Sequence, residues 1–148
     1  MNAGGVDKAC KSNGCSSQLL ASSNQLRYIV HMAFRFRKFR VYQEAIEFHR
    51  CIVKLTKNFL LDFDYLRKQL RRASLSVVLN IAEGSAKNSD KDFRRYIGNS
   101  LGSLNEAIAG CEVALVEKLV SASDFELAEK MAENLINQLG SFSKRLKS

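Results

Sequence analysis

Arg67, Lys68, Arg71 and Arg72 form two pairs spaced four apart, so on an α-helix they lie on one side as a contiguous cationic band. Side chains this basic and this dense suit phosphates, because each contact releases counterions condensed on a polyanion. Arg94 and Arg95 add to the set further along the chain, and Arg35, Arg37, Lys38 and Arg40 come before the first patterned segment. Phe34, Phe36 and Phe39 interleave with that last group, either as base-stacking aromatics or as rings packed against the end of a bundle. Ion pairs with Glu83, Glu44 or Glu47 are expected to engage one or two of the arginines between 67 and 72. The remaining cations read as a nucleic-acid-binding surface. No base-reading motif accompanies them, so recognition of RNA shape and backbone is expected.

Other chemistries find too few residues. A di-iron or di-manganese bundle needs inward glutamates and two Glu-x-x-His motifs, whereas the only histidines are His31 and His49 and the residue three before His49 is Ile46. His49 is expected in a structural or solvent-facing role. No glycine-rich phosphate loop of either common type is present, and neither histidine has a reason to meet a serine as its general base. Cys10 and Cys15 have C-x4-C spacing but lack the second pair a zinc site requires. Cys51 and Cys111 fall on apolar helical stripes and read as reduced core residues. A non-enzymatic protein without metal or cofactor is the expectation.

The elements that must position these cations follow from composition and periodicity. The chain has 148 residues, no proline, no tryptophan and a formal net charge of +8. With eight glycines it has too little turn chemistry for a many-stranded β fold, and no apolar run approaches the ~18 residues of a membrane span. Residues 34–96 carry fifteen basic and seven acidic side chains, whereas residues 97–148 carry five and seven. The basic excess therefore belongs to one half of the molecule, which points to a polyanion partner. Residues 1–31 are rich in Ser, Asn and Gly and lack periodicity, and are expected to form a flexible tail. Met32 stands where patterning begins and is a candidate natural start. Nothing at the N-terminus has the form of a signal peptide, so the cytoplasm is the expected location.

Residues 32–148 read as an all-α, antiparallel up-down-up-down four-helix bundle, since amphipathic helices with short links must reverse direction at each turn. Val41, Ala45, Phe48, Ile52, Leu55 and Phe59 mark the first helix. Asp62 is the expected N-cap of the second, with Leu66, Leu70, Ala73, Val77 and Ile81 as its stripe and Gly84 as a left-handed residue just past its end. Ser89 with Asp92 opens a third helix over residues 90–120, whose stripe is Phe93, Ile97, Leu101, Leu104, Ile108, Cys111, Leu115 and Leu119. Ser123 with Glu126 opens the fourth, with Phe125, Ala128, Ala132, Leu135, Leu139, Phe142 and Leu146 on one side. Gly98, Gly102, Ala109 and Gly110 would let another helix, in the same chain or another subunit, approach the third closely.

Gln69-Leu70-Arg71-Arg72-Ala73-Ser74 followed by Asn80-Ile81-Ala82-Glu83-Gly84, with Phe93 and Tyr96 one helix on, resembles the bacterial four-helix-bundle proteins encoded in intervening sequences of 23S ribosomal RNA genes. Phe39-x-x-Tyr42-Gln43-x-Ala45 resembles that family's opening, and the likeness covers about residues 36–147. Val78 stands where the family usually has proline, and the link after Phe59 lacks one too, so a straighter second helix is expected. The family is similar to the basic accessory protein of diversity-generating retroelements. The resemblance implies an RNA-associated protein, ribosomal RNA being one candidate, and a homopentamer. Its alternative implication is an oligomeric scaffold for a partner such as a reverse transcriptase.

Overall fold

A computed structural model describes residues 34–146. The tail at 1–31, His31, Met32, and Cys10 with Cys15 lie outside the described residues. Four α-helices make up the fold: α1 (Arg40–Leu55), α2 (Asp64–Ser85), α3 (Asp90–Val116) and α4 (Ala122–Arg145). Short 3-10 turns at Arg35–Lys38 and Leu61–Phe63 precede α1 and α2. α2 packs most extensively on α3; α1 packs on α2 and α4, and α4 on α3. These four pairings close a ring of sequential neighbours, as the up-down-up-down bundle requires. Among the described residues no helix is long and apolar enough to cross a membrane.

The core follows the helical period. Val41, Ala45, Phe48 and Ile52 of α1 are buried against Leu66, Leu70, Ala73, Val77 and Ile81 of α2, and Ala128, Ala132, Leu135 and Leu139 close the other side from α4. The α3 face departs from expectation. Leu101 and Ile108 are only partly covered, while Ser100, Ser103, Ala107 and Ala114 are buried. With Gly110 these small residues recur at steps of three and four, so α2 approaches α3 closely. The Ser100 hydroxyl donates to the Val77 carbonyl at 3.3 Å, and that of Ser103 to Ser76 Oγ at 2.9 Å.

Helix ends obey capping chemistry, in places at other residues than expected. Ser89 caps α3, accepting from the Asp92 N–H at 3.1 Å. α4 is capped by Ser121, whose hydroxyl accepts from the Asp124 N–H at 3.1 Å, so the cap lies two residues before Ser123. Asp62 falls inside a 3-10 turn, and the residue before α2 is Phe63, without a side-chain cap. α3 stops at Val116, short of residue 120. The Leu119 N–H returns to the Ala114 carbonyl at 2.8 Å and the Lys118 N–H to Leu115 at 3.0 Å, a Schellman closure with Lys118 at φ 57°.

Gly84 does not end α2 in a left-handed conformation; it lies within the helix, and no described glycine has positive φ. Its role is proximity. A Cβ there would fall 2.6 Å from Phe93 Cδ2 and 2.7 Å from Tyr96 Cβ, so only glycine lets α3 cross at this height. α2 runs unbroken through Val78. Its end is closed by Arg35, whose guanidinium donates to the Ser85 carbonyl and, at 3.5 Å, to that of Lys87. The Ser85 carbonyl belongs to the last turn of α2 and carries the negative end of the helix dipole, which a cation satisfies well.

Candidate nucleic-acid interface

The four cations of α2 do not form one exposed band. Asp64, in the first turn, accepts hydrogen bonds from Lys68 Nζ at 2.6 Å and from the Arg67 guanidinium. Those bonds, that from Lys68 first, hold the Asp64 carboxyl below the usual carboxylate range. Arg71 turns inward and is half-buried: its Nε donates to Thr56 Oγ1 at 2.9 Å and its Nη2 to the Val53 carbonyl at 3.3 Å, tying α2 to the end of α1. Arg72 is exposed, as is Lys68, and Tyr65, Leu75 and Leu79 lie exposed on the same side of the helix. The expected acidic partners are engaged elsewhere. Glu44 pairs with Arg40 at 2.7 Å, Glu47 with Arg50 at 2.9 Å and Glu83 with Lys87 at 3.3 Å, so Asp64 is the residue that engages the α2 cations.

Topology separates these side chains from Arg94 and Arg95. Because α2 and α3 are antiparallel, Leu70 lies beside Gly110 and Gly84 beside Phe93 and Tyr96. Twelve residues divide Arg72 from Gly84, a rise of about 18 Å along the helix. Arg67 and Lys68 therefore lie at the opposite end of the bundle from Arg94 and Arg95, and Arg72 lies near the middle of α2.

The end formed by the start of α1, the α2–α3 link and the last turn of α4 is the strongly basic one. Arg35, Arg37, Lys38 and Arg40 arrive from before and within the first turn of α1, Lys87, Lys91, Arg94 and Arg95 from around the α2–α3 link, and Lys144 and Arg145 from α4. Against these ten stand Glu44, Glu83, Asp90 and Asp92. Several of the cations also have structural duties. Arg35 closes α2 and lies 5.9 Å from the Phe93 ring centroid, and Arg37 covers Phe34 at 4.7 Å. Lys87 and Arg95 flank the Tyr96 ring at 4.8 and 5.4 Å, and the Tyr96 hydroxyl donates to Glu83 Oε1 at 2.7 Å. Hydrogen bonds from Tyr96 and then Lys87 hold the Glu83 carboxyl below its usual range.

Of the N-terminal aromatics, Phe39 and Phe36 pack within the bundle end, as the packing reading expects. Phe39 packs with Phe142 at 5.3 Å and with Phe93 at 6.2 Å, and Phe36 meets Tyr42 at 4.7 Å, while Phe34 is 47% exposed. Two clefts open at this end. One, of about 700 Å³, lies between α3 and α4 and is lined by Lys91, Asp92, Arg94 and Arg95 together with Gly98 and Ser143. The other, of about 480 Å³, lies between α1 and α4 with Arg40 and Arg145 among its lining residues. Sequence reasoning did not single out Lys87, Lys91, Lys144 or Arg145. Lys144 and Arg145 in the last turn of α4 are ordinary complements of the helix dipole, and Lys87 and Lys91 flank a link, so only the topology gathers them.

His49 is a packing residue. Its Nδ1 lies 2.8 Å from Ser74 Oγ, which also lies 3.1 Å from the Arg71 carbonyl. The imidazole thus does meet a serine, contrary to expectation, but Ser74 is fully buried between the helices, where no substrate could reach its hydroxyl. Burial first, and then the charge of Arg71, hold His49 below its usual pKa. Among the described residues no group of three or more His, Cys, Asp or Glu could hold a metal ion. Cys51 is a half-buried free thiol, and Cys111 is buried, which pushes its thiol up to about 12. A thiol so rarely ionised is chemically inert.

A family model described as 23S rRNA-intervening sequence protein matches residues 37–141, which span α1 to α3 and most of α4. A crystal structure of a protein with unknown function from the S23 ribosomal protein family of Bacteroides thetaiotaomicron superposes with a TM-score of 0.64 at 25% sequence identity, covering 70% of this chain and 98% of that one. None of the curated proteins matches the chain.

Proposed function

The chain belongs to the 23S rRNA-intervening sequence protein family, and on that footing we propose that it is a non-enzymatic, RNA-associated bundle that binds phosphates at its basic end. The observation that carries this reading is the convergence of ten basic side chains from three separate segments on one end of the bundle. Glu44 and Glu83 offset only two of these charges in ion pairs, and a polyanion would relieve the repulsion among the rest. The cations of α2 are secondary in this reading, because Arg67, Lys68 and Arg71 are engaged within the chain. Homo-oligomerisation is part of the proposal: Tyr65, Leu75 and Leu79 leave an apolar line exposed on α2 that a second subunit would cover.

The test is RNA binding as a function of salt. Wild-type protein should bind a structured RNA at low salt and lose affinity steeply between about 50 and 200 mM. Lys91→Glu with Arg95→Glu should weaken binding by about tenfold or more and reduce the salt slope by about one per contact removed. Lys54→Glu with Lys57→Glu makes the same charge change at the opposite end and should leave affinity within a factor of about three. Equal losses from both pairs would refute the assignment of a face, and no binding at low salt would refute RNA association itself. Light scattering of the wild type and of Leu79→Glu reads the oligomer.

A further inference from the structure

The 480 Å³ cleft between α1 and α4 has a composition that a phosphate-binding surface alone does not require. The residues that line it include two aromatics, Phe39 and Phe142, two arginines, Arg40 and Arg145, and two amides, Asn137 and Gln138. A site for a bare anion needs no aromatic wall, and a site for an apolar ligand needs no pair of arginines. We infer that this cleft is a nucleotide site, taking a nucleobase against the two phenylalanines and its phosphate between Arg40 and Arg145.

Each half of that assignment has support on its own. The phenylalanines are held in place: they lie 5.3 Å apart, and the buried ring of Phe93 braces Phe142 edge-on at 5.1 Å and Phe39 at 6.2 Å. A fixed aromatic pair is the platform on which an unstacked base gains most, because no side chain must be ordered on binding. The volume is within the roughly 300–1,000 Å³ of ordinary ligand pockets.

The polar groups are also arranged in advance. Glu44 accepts from Arg40 Nε at 2.7 Å, from Asn134 Nδ2 at 2.9 Å and from the Gln138 amide, which fixes the orientation of the lining side chains Arg40 and Gln138. Because the Gln138 NH2 donates to Glu44, its carbonyl oxygen is the group left to accept from a base edge. Glu44 also sets a limit: it neutralises one of the two arginines, so Arg145 contributes the uncompensated charge at the cleft. Arg40 is the first residue of α1, whose start has no side-chain cap, so the partial positive charge of that helix adds at the same place.

A nucleotide can reach the cleft as one unstacked residue of an RNA strand, which rests on the RNA reading above, or as a free mononucleotide. Titration of the full chain with a single-stranded RNA oligomer, with the four ribonucleoside monophosphates and with inorganic phosphate separates the two. Ser141→Trp fills the cleft from an exposed helical position in its wall, and circular dichroism checks that it folds; Arg145→Glu at the helix end is the second variant. For an RNA nucleotide, Ser141→Trp should weaken oligomer binding about tenfold with an unchanged salt slope, whereas Arg145→Glu should also lower that slope by about 0.7. For a free nucleotide, monophosphates bind the wild type, neither variant binds them, and the oligomer is indifferent to Ser141→Trp. RNA binding that both variants retain, with no monophosphate binding, overturns the site and leaves the RNA reading standing. Inorganic phosphate binding as tightly as every monophosphate also overturns it. A protein that binds neither RNA nor monophosphate loses both readings.

Discussion

Gly84 permits the sharpest test of how this bundle is held together. Replacing it with alanine places a methyl group 2.6 and 2.9 Å from two ring atoms of Phe93 and 2.7 Å from Tyr96 Cβ. The Phe93 ring is buried and cannot rotate away, and a Cβ moves only with its backbone. The clash must therefore be relieved by separating α2 from α3, the most extensive pairing in the molecule. Overpacking of this kind typically costs about 1–3 kcal/mol, and a contact with Cβ belongs towards the upper part of that range. Alanine returns about 0.8–1 kcal/mol of helix propensity, leaving a net loss of roughly 2 kcal/mol. Gly98 and Gly102 are the internal controls, because nothing lies within 4 Å of a Cβ at either position. Gly98→Ala and Gly102→Ala should each gain about 0.8–1 kcal/mol. Urea denaturation at one protein concentration reads all three, and the expected spread between Gly84→Ala and either control is about 3 kcal/mol. A Gly84→Ala protein as stable as wild type would refute the close-approach account.

Three further outcomes follow from named contacts. The folded pKa of His49 is depressed, so the unfolded state takes up more protons; stability is full above about pH 6.5 and falls as the pH drops below it. Denaturation at about pH 7.5 and 5.5 should show this loss in the wild type and a reduced one in His49→Gln, whereas an identical slope in the variant would acquit the histidine. Lys118→Gly removes a left-handed lysine from the α3 closure and should stabilise the protein by about 0.5–1 kcal/mol, raising its melting temperature by a few degrees. Arg71→Gln should destabilise by about 1–2 kcal/mol through its lost bonds to Thr56 and Val53. Arg72→Gln on the exposed face should stay within about 0.5 kcal/mol of wild type, and equal effects of the two would show that Arg71 is not structural.

The number of helices, their apolar faces, the all-α class and the Ser89 cap were legible in the sequence because each is a local property. A period of 3.6 and a hydroxyl three residues before an N–H need only neighbouring residues to be recognised. At the start of α4 Ser121 and Ser123 are both plausible caps and backbone geometry selects the first, whereas a 3-10 turn takes up Asp62 and leaves Phe63 before α2, which a search for capping side chains cannot foresee. The small-residue face of α3 escaped a search for apolar stripes, since Ser100, Ser103 and Gly110 are valuable only where α2 comes close. Charge behaves in the same way. The sequence determined how many cations there are and which half of the chain holds them, but i, i+4 spacing cannot say that Arg71 turns inward or that Asp64 holds Arg67 and Lys68. Only the tertiary structure decided that the antiparallel hairpin of α2 and α3 carries Arg67 and Lys68 to the opposite end of the bundle from Arg94, and that the packing of α1 on α4 brings Arg40 and Arg145, about a hundred residues apart in sequence, to one cleft. The reason is physical: hydrophobic periodicity is written along the chain, whereas the field at a surface sums over whatever the fold brings near it.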